Sequence, residues 1–118
     1  MPHESPRIVR DSIPLAEVQE LANQGFGDMV KACVDIVRGL MAIGGELHSD
    51  EEALLLADGS RQADVWGINL YPDESGEAFI EFDSMINVRP SQGNRSRGVD
   101  DPETRSSIRR VVDSLIRR

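Results

Sequence analysis

The most regular pattern in the chain is an alternation of apolar and polar residues on both sides of a short polar turn. In residues 64–71 and again in 77–89, nearly every second residue is apolar. Successive side chains of a β-strand point to opposite faces, so each stretch predicts a half-buried strand with its even-numbered residues turned towards the core. The two strands are predicted to pair as an antiparallel hairpin.

The register of this hairpin follows from the requirement that apolar residues share a face. Directly opposed residues of an antiparallel pair lie on the same face, which places Leu70 opposite Ile80 and Ile68 opposite Phe82. A type I turn followed by Gly76 in the left-handed conformation gives a three-residue loop of the required length.

Helical periodicity appears elsewhere in the chain. Apolar spacings of three and four residues predict helices at about 14–24, 28–43 and 102–117. The second is the most regular, since its apolar residues are Met29, Val30, Cys33, Val34, Val37, Leu40 and Met41. The single cysteine is therefore expected to be buried within this helix.

Three shorter segments complete the pattern. Residues 8–9 favour a short edge strand, and residues 46–48 favour another short strand. We predict a helix over 49–57, opened by a capping box of Ser49 and Glu52. The alternative for this segment is a buried strand, because its three consecutive leucines fit both structures.

Together these elements predict an α+β domain in which a short antiparallel sheet, centred on the hairpin, is packed on one face by helices. Residues 1–7 are predicted to be a flexible N-terminal end, and 8–118 a single domain. The composition, 39% hydrophobic and 29% charged, is typical of soluble proteins. No apolar run approaches the roughly 20 residues of a membrane helix, and no signal peptide is recognisable, so we expect a cytoplasmic protein without membrane contact.

The net charge of −8 is distributed unevenly along the chain. Residues 95–118 hold seven arginines and four acidic residues, a local balance of +3. This basic end could bind anions, or its arginines could be the solvent-exposed residues of a helix. The overall acidity, the few aromatic residues and the lack of a recognised reading motif argue against nucleic acid as a partner.

The first candidate site is the polar loop 89–97, with the sequence RPSQGNRSR. Arginine forks suit phosphate or carboxylate groups, and a glycine lets backbone amides converge on an anion. The predicted anion-binding residues are Arg89, Asn94, Arg95 and Arg97. The loop lacks the spacing of the phosphate-binding motifs, so the alternative is a structural loop whose arginines pair with carboxylates.

The second candidate site is the polar face of the predicted hairpin. The two strands are expected to present a set of polar side chains on one surface, namely Asn69, Tyr71, Glu81, Asp83 and Asn87. Two carboxylates at this spacing could bind a divalent cation or share a proton. The alternative is the ordinary solvated face of an antiparallel sheet.

The sequence predicts no metal site and no cofactor. His48 lies next to a group of acidic residues. At the start of a helix, however, these carboxylates face the free backbone amides instead of converging on a metal ion. No motif of a catalytic serine surrounds any of the serines.

Three segments carry a resemblance to a known family: MAIGGELHSDEEALLLADGS, DVWGINLYP and INVRPSQGNRS. They resemble the signature stretches of a family of short prokaryotic proteins that is described only as a domain of unknown function. The resemblance covers about residues 8–116. It implies no activity, cofactor or catalytic residue.

We therefore expect a small non-enzymatic binding or interaction module that uses the 89–97 loop and the neighbouring sheet face. Its partner would be a small anion or another protein. One alternative is an enzyme acting on a phosphorylated or carboxylated small molecule, with Arg89 and Arg95 holding the anion and Glu81 or Asp83 as general base. Another is a structural subunit that forms a homodimer through the edge of the sheet.

Overall fold

A computed structural model describes residues 5–118, which form three α-helices and seven β-strands. In chain order the strands and helices are β1 (Arg7–Val9), β2 (Ile13–Pro14), α1 (Leu15–Gln24), β3 (Val30–Asp35), β4 (Leu40–Ile43), α2 (His48–Ala57), β5 (Val65–Leu70), β6 (Ile80–Glu81), α3 (Pro102–Leu115) and β7 (Ile116–Arg117). Short 3-10 helices occupy Gln62–Asp64, Gly76–Phe79, Met85–Asn87 and Pro90–Gln92. Residues 1–4 of the predicted flexible end lie outside the described residues.

Five strands form one antiparallel sheet in the order β1-β4-β3-β5-β6. The strands β2 and β7 form a separate parallel pair, in which Ile13 lies opposite Ile116. This pair joins the end of α3 to the start of α1. The predicted α+β class with an antiparallel sheet is confirmed.

Both faces of the central sheet are covered by helices. One face packs its apolar side chains, including Ile68 of β5, against Val18 of α1 and Ile108 of α3. The opposite face packs Cys33 and Val65 against Leu55 of α2. Apolar burial of this kind is the main favourable contribution to folding. The sequence predicted that helices cover only one face of the sheet. In the structure α2 covers the other face as well.

The predicted helix over 28–43 is wrong, because this stretch forms the hairpin of β3 and β4. Asp35 closes its turn by accepting hydrogen bonds from the backbone amides of Val37 and Arg38, both at 2.9 Å. Gly39 takes a positive φ of 70° in the same turn. A strand buried on both faces is apolar throughout, and such a run also satisfies helical spacing.

The predicted strand over about 64–71 is confirmed as β5, which spans Val65–Leu70, and so is the pairing of Leu70 with Ile80. The second strand is much shorter than the predicted 77–89, since β6 has two residues and is flanked by 3-10 turns. The expected pairing of Ile68 with Phe82 therefore does not form.

The inward alternation of this stretch also fails on both sides of β6. Phe79 before it and Asn87 after it, both odd-numbered, are buried with exposed fractions of 2% and 0%. Gly67 permits the deviation after β6, because a Cβ there would lie 2.6 Å from the Cβ of Ser84. The chain after β6 thus crosses closely over β5 instead of continuing as a strand.

The remaining elements follow the sequence closely. The helices α1 and α3 begin and end near their predicted limits. Segment 49–57, for which a strand was the alternative, forms the predicted helix as part of α2. The edge strand at Ile8 and Val9 forms as part of β1.

Two predictions for the segment before α2 fail. The predicted strand over 46–48 is wrong, since α2 begins at His48. The capping box also does not form, because the residue that precedes α2 is Leu47 and no side chain caps the helix.

Candidate functional site

A row of three polar residues crosses the sheet on the side covered by α2. Lys31 of β3 lies opposite Asn69 of β5, which in turn lies opposite Glu81 of β6. The Oε1 atom of Glu81 accepts hydrogen bonds from Asn69 Nδ2 at 2.9 Å and from Tyr71 Oη at 3.0 Å. The exposed carboxylate of Glu81 is therefore held in a fixed orientation by two uncharged donors.

Asn69 forms the buried base of this row. Only 6% of the residue is exposed, and its Oδ1 atom has no hydrogen-bond partner among residues 5–118. Its Nδ2 atom also approaches the carbonyl oxygen of Asp83 at 3.4 Å. The Oδ1 atom is itself closed to solvent, so Asn69 acts on Glu81 through its Nδ2 donor.

Two neighbouring side chains have shifted pKa values. The pKa of Tyr71 is raised mainly by burial. Its hydrogen bond with Glu81 and the negative charge of Glu81 raise it further. Burial is also the main reason that the pKa of His48 is lowered, outweighing the hydrogen bond between His48 Nε2 and the carbonyl oxygen of Ile68. Since a carbonyl only accepts, the Nε2 atom carries the proton at this 2.7 Å contact.

Arg97 joins the polar loop to this sheet face. Its Nε atom donates to Asp83 Oδ1 at 2.7 Å. Its carbonyl oxygen accepts from the amide of Ser84 at 2.9 Å and from Asn87 Nδ2 at 3.0 Å. Among the described residues, the Nη1 and Nη2 atoms of Arg97 have no hydrogen-bond partner. Both backbone and side chain are thus anchored, while the outer edge of the guanidinium is open.

Arg89 lies in the interior, unlike the exposed Arg97. Its guanidinium stacks 4.8 Å from the ring centre of Trp66, and it donates to the carbonyl oxygens of Val65 and Ile86 and to Glu52. Burial lowers the pKa of Arg89, while the charge of Glu52 opposes the shift. These contacts fix the base of the 89–97 loop.

Asn94 fastens the other end of the loop. Its Nδ2 atom donates to the carbonyl oxygens of Asn87 and Gly98, both at 2.8 Å, and its Oδ1 atom accepts from the amide of Asp100 at 2.8 Å. Asn87 in turn brackets the backbone of Gly67 by bonding its amide at 2.8 Å and its carbonyl at 2.9 Å. The side-chain amides of both asparagines thus bond to backbone groups of the loop and of β5.

The structure therefore separates the predicted site residues into two groups. The first group, which we name the polar face, consists of Tyr71, Glu81, Asp83 and Arg97 with the buried Asn69 beneath them. An interior group consists of Asn87, Arg89 and Asn94, whose bonds serve the loop itself. Arg95 is exposed and makes no hydrogen bond among the described residues.

Sequence reasoning missed Lys31 as a neighbour of the polar face. The assignment of a helix to 28–43 placed Lys31 on a different surface, and no local signal could have corrected it. The Nζ atom of Lys31 lies 5.1 Å from the ring centre of Phe26, within the range of a cation-π contact. His48, considered only as a metal ligand, borders the same region through its contact with β5.

Beneath the start of α2 lies a buried acid and thiol. Glu51 Oε2 accepts from the amide of Gly45 at 2.9 Å, and Cys33 Sγ contacts the carbonyl oxygen of His48 at 3.3 Å. Burial raises the pKa of both Glu51 and Cys33 well above their ordinary values. Across residues 5–118, no group of three or more His, Cys, Asp or Glu side chains is arranged to hold a metal ion.

No helix in the described part of the chain is long and apolar enough to cross a membrane.

Comparisons with known proteins give one match. No curated protein and no solved structure shows a significant match. A family described as "Protein of unknown function (DUF5674)" matches residues 7–115, nearly the whole sequence. The chain therefore belongs to this family of proteins of unknown function.

Proposed function

We propose that this protein is a non-enzymatic binding module that recognises a small molecule carrying both an anionic group and hydroxyl groups. The polar face would be its recognition surface. Arg97, with Arg95 beside it in the chain, would contact the anion. The carboxylate of Glu81 would accept hydrogen bonds from the hydroxyls.

The observation that carries the proposal is the anchoring of Arg97 next to an oriented carboxylate. Asp83 occupies the Nε side of the guanidinium, which leaves the paired Nη atoms for a bidentate contact with phosphate or carboxylate. Glu81, two residues before Asp83, already has one oxygen filled by Asn69 and Tyr71. Donor and acceptor positions are thus fixed near each other before a ligand arrives.

The charge of the protein sets which ligands this surface can select. With a net charge of −8 and two acids at the polar face, a free anion is repelled as well as attracted. An anion linked to hydroxyl groups gains contacts with Glu81 that a free anion cannot make. Arg89, the other arginine considered for the anion, is buried, and its Nε and Nη2 atoms bond within the protein. Arg95 and Arg97 are the arginines of the loop that are exposed.

Thermal melts with ribose 5-phosphate test the proposal, with ribose alone and inorganic phosphate alone as component controls. A ligand that binds only the folded state stabilises it, by about 2.7 kcal/mol at a concentration 100 times the dissociation constant. We expect ribose 5-phosphate to raise the midpoint and its two components to have little effect. An absent shift with ribose 5-phosphate, or an equal shift with phosphate alone, would contradict the proposed mode of binding.

Two variants assign the effect to the polar face. Arg97→Ala and Glu81→Gln should each abolish the shift produced by ribose 5-phosphate. Arg110→Ala, which removes an exposed arginine of α3, is the matched control and should retain it. Because the Arg97–Asp83 pair is largely exposed, its loss should change the unliganded stability by less than about 1 kcal/mol.

A further inference from the structure

A separate cavity lies where the start of β5, the Gln92–Asn94 turn and the N-terminus of α3 meet. Its volume is about 230 Å³, and its walls include Ile36, Trp66, Gly93, Asp100, Asp101 and Thr104. None of its lining residues belongs to the polar face. It brings together Trp66 and the Gln92–Asn94 turn, which come from two of the segments that carry the family resemblance.

The first feature of this cavity is an unsatisfied donor. Trp66 is 6% exposed, and its indole Nε1 is buried without a hydrogen-bond partner among residues 5–118. The indole N–H can only donate, and a buried tryptophan usually finds an acceptor for it. A ligand atom that accepts a hydrogen bond inside the cavity would supply the missing partner.

The second feature is a pair of carboxylates that are bonded only to uncharged donors. Asp101 accepts from the amide of Glu103 at 3.3 Å and from Thr104 Oγ1 at 2.9 Å, and Asp100 accepts from Ser96 Oγ at 2.7 Å. Neither takes part in an ion pair among the described residues. The nearby Arg105 donates to the carbonyl oxygen of Val99.

These carboxylates decide the charge of the preferred ligand. The N-terminus of a helix ordinarily attracts anions, but Asp101 already occupies that position in α3 as its capping residue. Two negative side chains in the wall favour a protonated amine over an anion. The side chains of Ile36 and Ala63 and the indole ring supply an apolar wall for the rest of the ligand.

We propose that this cavity binds an α-amino amide group with an apolar side chain. The ammonium would contact Asp100 and Asp101, the amide carbonyl would accept from Trp66 Nε1, and the side chain would lie against Ile36. Both a free amino-acid amide and the N-terminus of a peptide carry this chemistry.

Fluorescence gives a direct test, because Trp66 is the only tryptophan of the chain. Leucinamide should produce a saturable change in emission. Isopentylamine lacks the carbonyl, and N-acetyl-leucinamide lacks the ammonium, so each should bind at least tenfold more weakly. A saturable response to the tripeptide Leu-Gly-Gly would assign the site to peptide N-termini, whereas a response to leucinamide alone would assign it to small amides.

Carboxamide variants test the acidic wall without removing the helix cap, since asparagine caps helices as well as aspartate does. Asp100→Asn and Asp101→Asn should each weaken leucinamide binding at least fivefold while leaving the thermal midpoint close to that of the wild type. Asp113→Asn, at an exposed position of α3 away from the cavity, is the matched control.

Three results would overturn the inference. These are an emission that does not change with leucinamide, equal responses to all three small ligands, and unchanged affinity in both carboxamide variants. The site shares no residue with the polar face, so its failure and the failure of ribose 5-phosphate binding are independent results.

Discussion

Glu51 is fully buried, and its Oε1 atom has no hydrogen-bond partner among the described residues. Gly45 leaves room for this side chain. A Cβ atom at position 45 would lie only 3.1 Å from Cγ of Glu51. A carboxyl group in such a place is held neutral, since the charged form loses its hydration. Burial therefore favours the protonated forms of both Glu51 and Cys33.

We predict that Glu51→Gln stabilises the protein increasingly as the pH rises. The raised pKa of Glu51 means that the folded state keeps its proton above pH 4.5, where the unfolded state releases it. The free energy of unfolding of the wild type must therefore fall with rising pH in this window, by up to about 1.4 kcal/mol per pH unit. Glutamine does not titrate and escapes this loss.

Urea unfolding of both proteins between pH 5 and pH 9 measures the difference. The exposed Glu46→Gln serves as control and should show no such trend. A difference between Glu51→Gln and wild type that is independent of pH would show that Glu51 is not held protonated.

The hairpin of β3 and β4 is the element that the pattern of apolar and polar residues predicted least well. Its residues are buried on both sides of the sheet, as Val34 packs towards α3 and Cys33 towards α2. No regular alternation of polar and apolar residues marks these strands, because every residue of β3 and β4 except Lys31 is buried. The four-residue turn between them is defined by Asp35 and by the left-handed Gly39, not by hydrophobicity.

Gly39→Ala distinguishes the hairpin from a helix by the sign of its effect. At a φ of 70° an alanine is strained, and we expect a loss of about 1 kcal/mol in the free energy of unfolding. No atom lies within 4 Å of the added Cβ, so the effect is that of the backbone alone. In the interior of a helix the same change would stabilise the protein by about 1 kcal/mol. Urea denaturation measures both sign and size, and Val37→Ala in the same turn is the control.

Ion pairs link segments that are distant along the chain. Asp58, which follows α2, pairs with Arg10 near β1 at 2.6 Å and with Arg38 of the β3–β4 turn at 2.8 Å. Arg38 also donates to Ser60 Oγ at 2.9 Å. The hydrogen bonds from the two arginines lower the pKa of Asp58 to about 2.

Asp58→Asn should therefore reduce stability in a way that depends on pH and salt. The stabilisation from a lowered carboxyl pKa is complete above the unfolded value of 3.8 and is lost as the pH falls through about 2. We expect Asp58→Asn to be less stable than wild type at pH 7 and equal to it near pH 2. Added salt should narrow the gap at pH 7, because a quarter of the Asp58 side chain and half of the Arg10 side chain are open to solvent.

Chemical denaturation at several pH values provides the measurement, with the exposed Glu74→Gln as control. A gap that persists at pH 2 would assign the effect to hydrogen bonding other than the ion pairs.

The amino-acid pattern alone was sufficient for those elements that bury one side. The helices α1 and α3 follow from periodicity, because burial on one face leaves a regular trace along the chain. The strand β5 is buried on both faces, and it was still recognisable because Gly67 and the polar Asn69 alternate with Trp66, Ile68 and Leu70. The same reasoning placed Asn69, Tyr71, Glu81 and Asp83 together. The register pairs Asn69 with Glu81, and hydrogen bonds connect Tyr71 to Glu81 and Asn69 to the backbone of Asp83.

The arrangement in space settled everything that depends on a distant partner. Asn87 is interior because Gly67 of β5 offers its amide and carbonyl, and Arg89 is interior because Trp66 and Glu52 receive it. Their neighbours in the chain give no sign of these contacts, since a polar side chain looks the same in sequence whether water or another segment satisfies it. Hence the anion-binding prediction for the loop narrows to Arg95 and Arg97, the two arginines left at the surface.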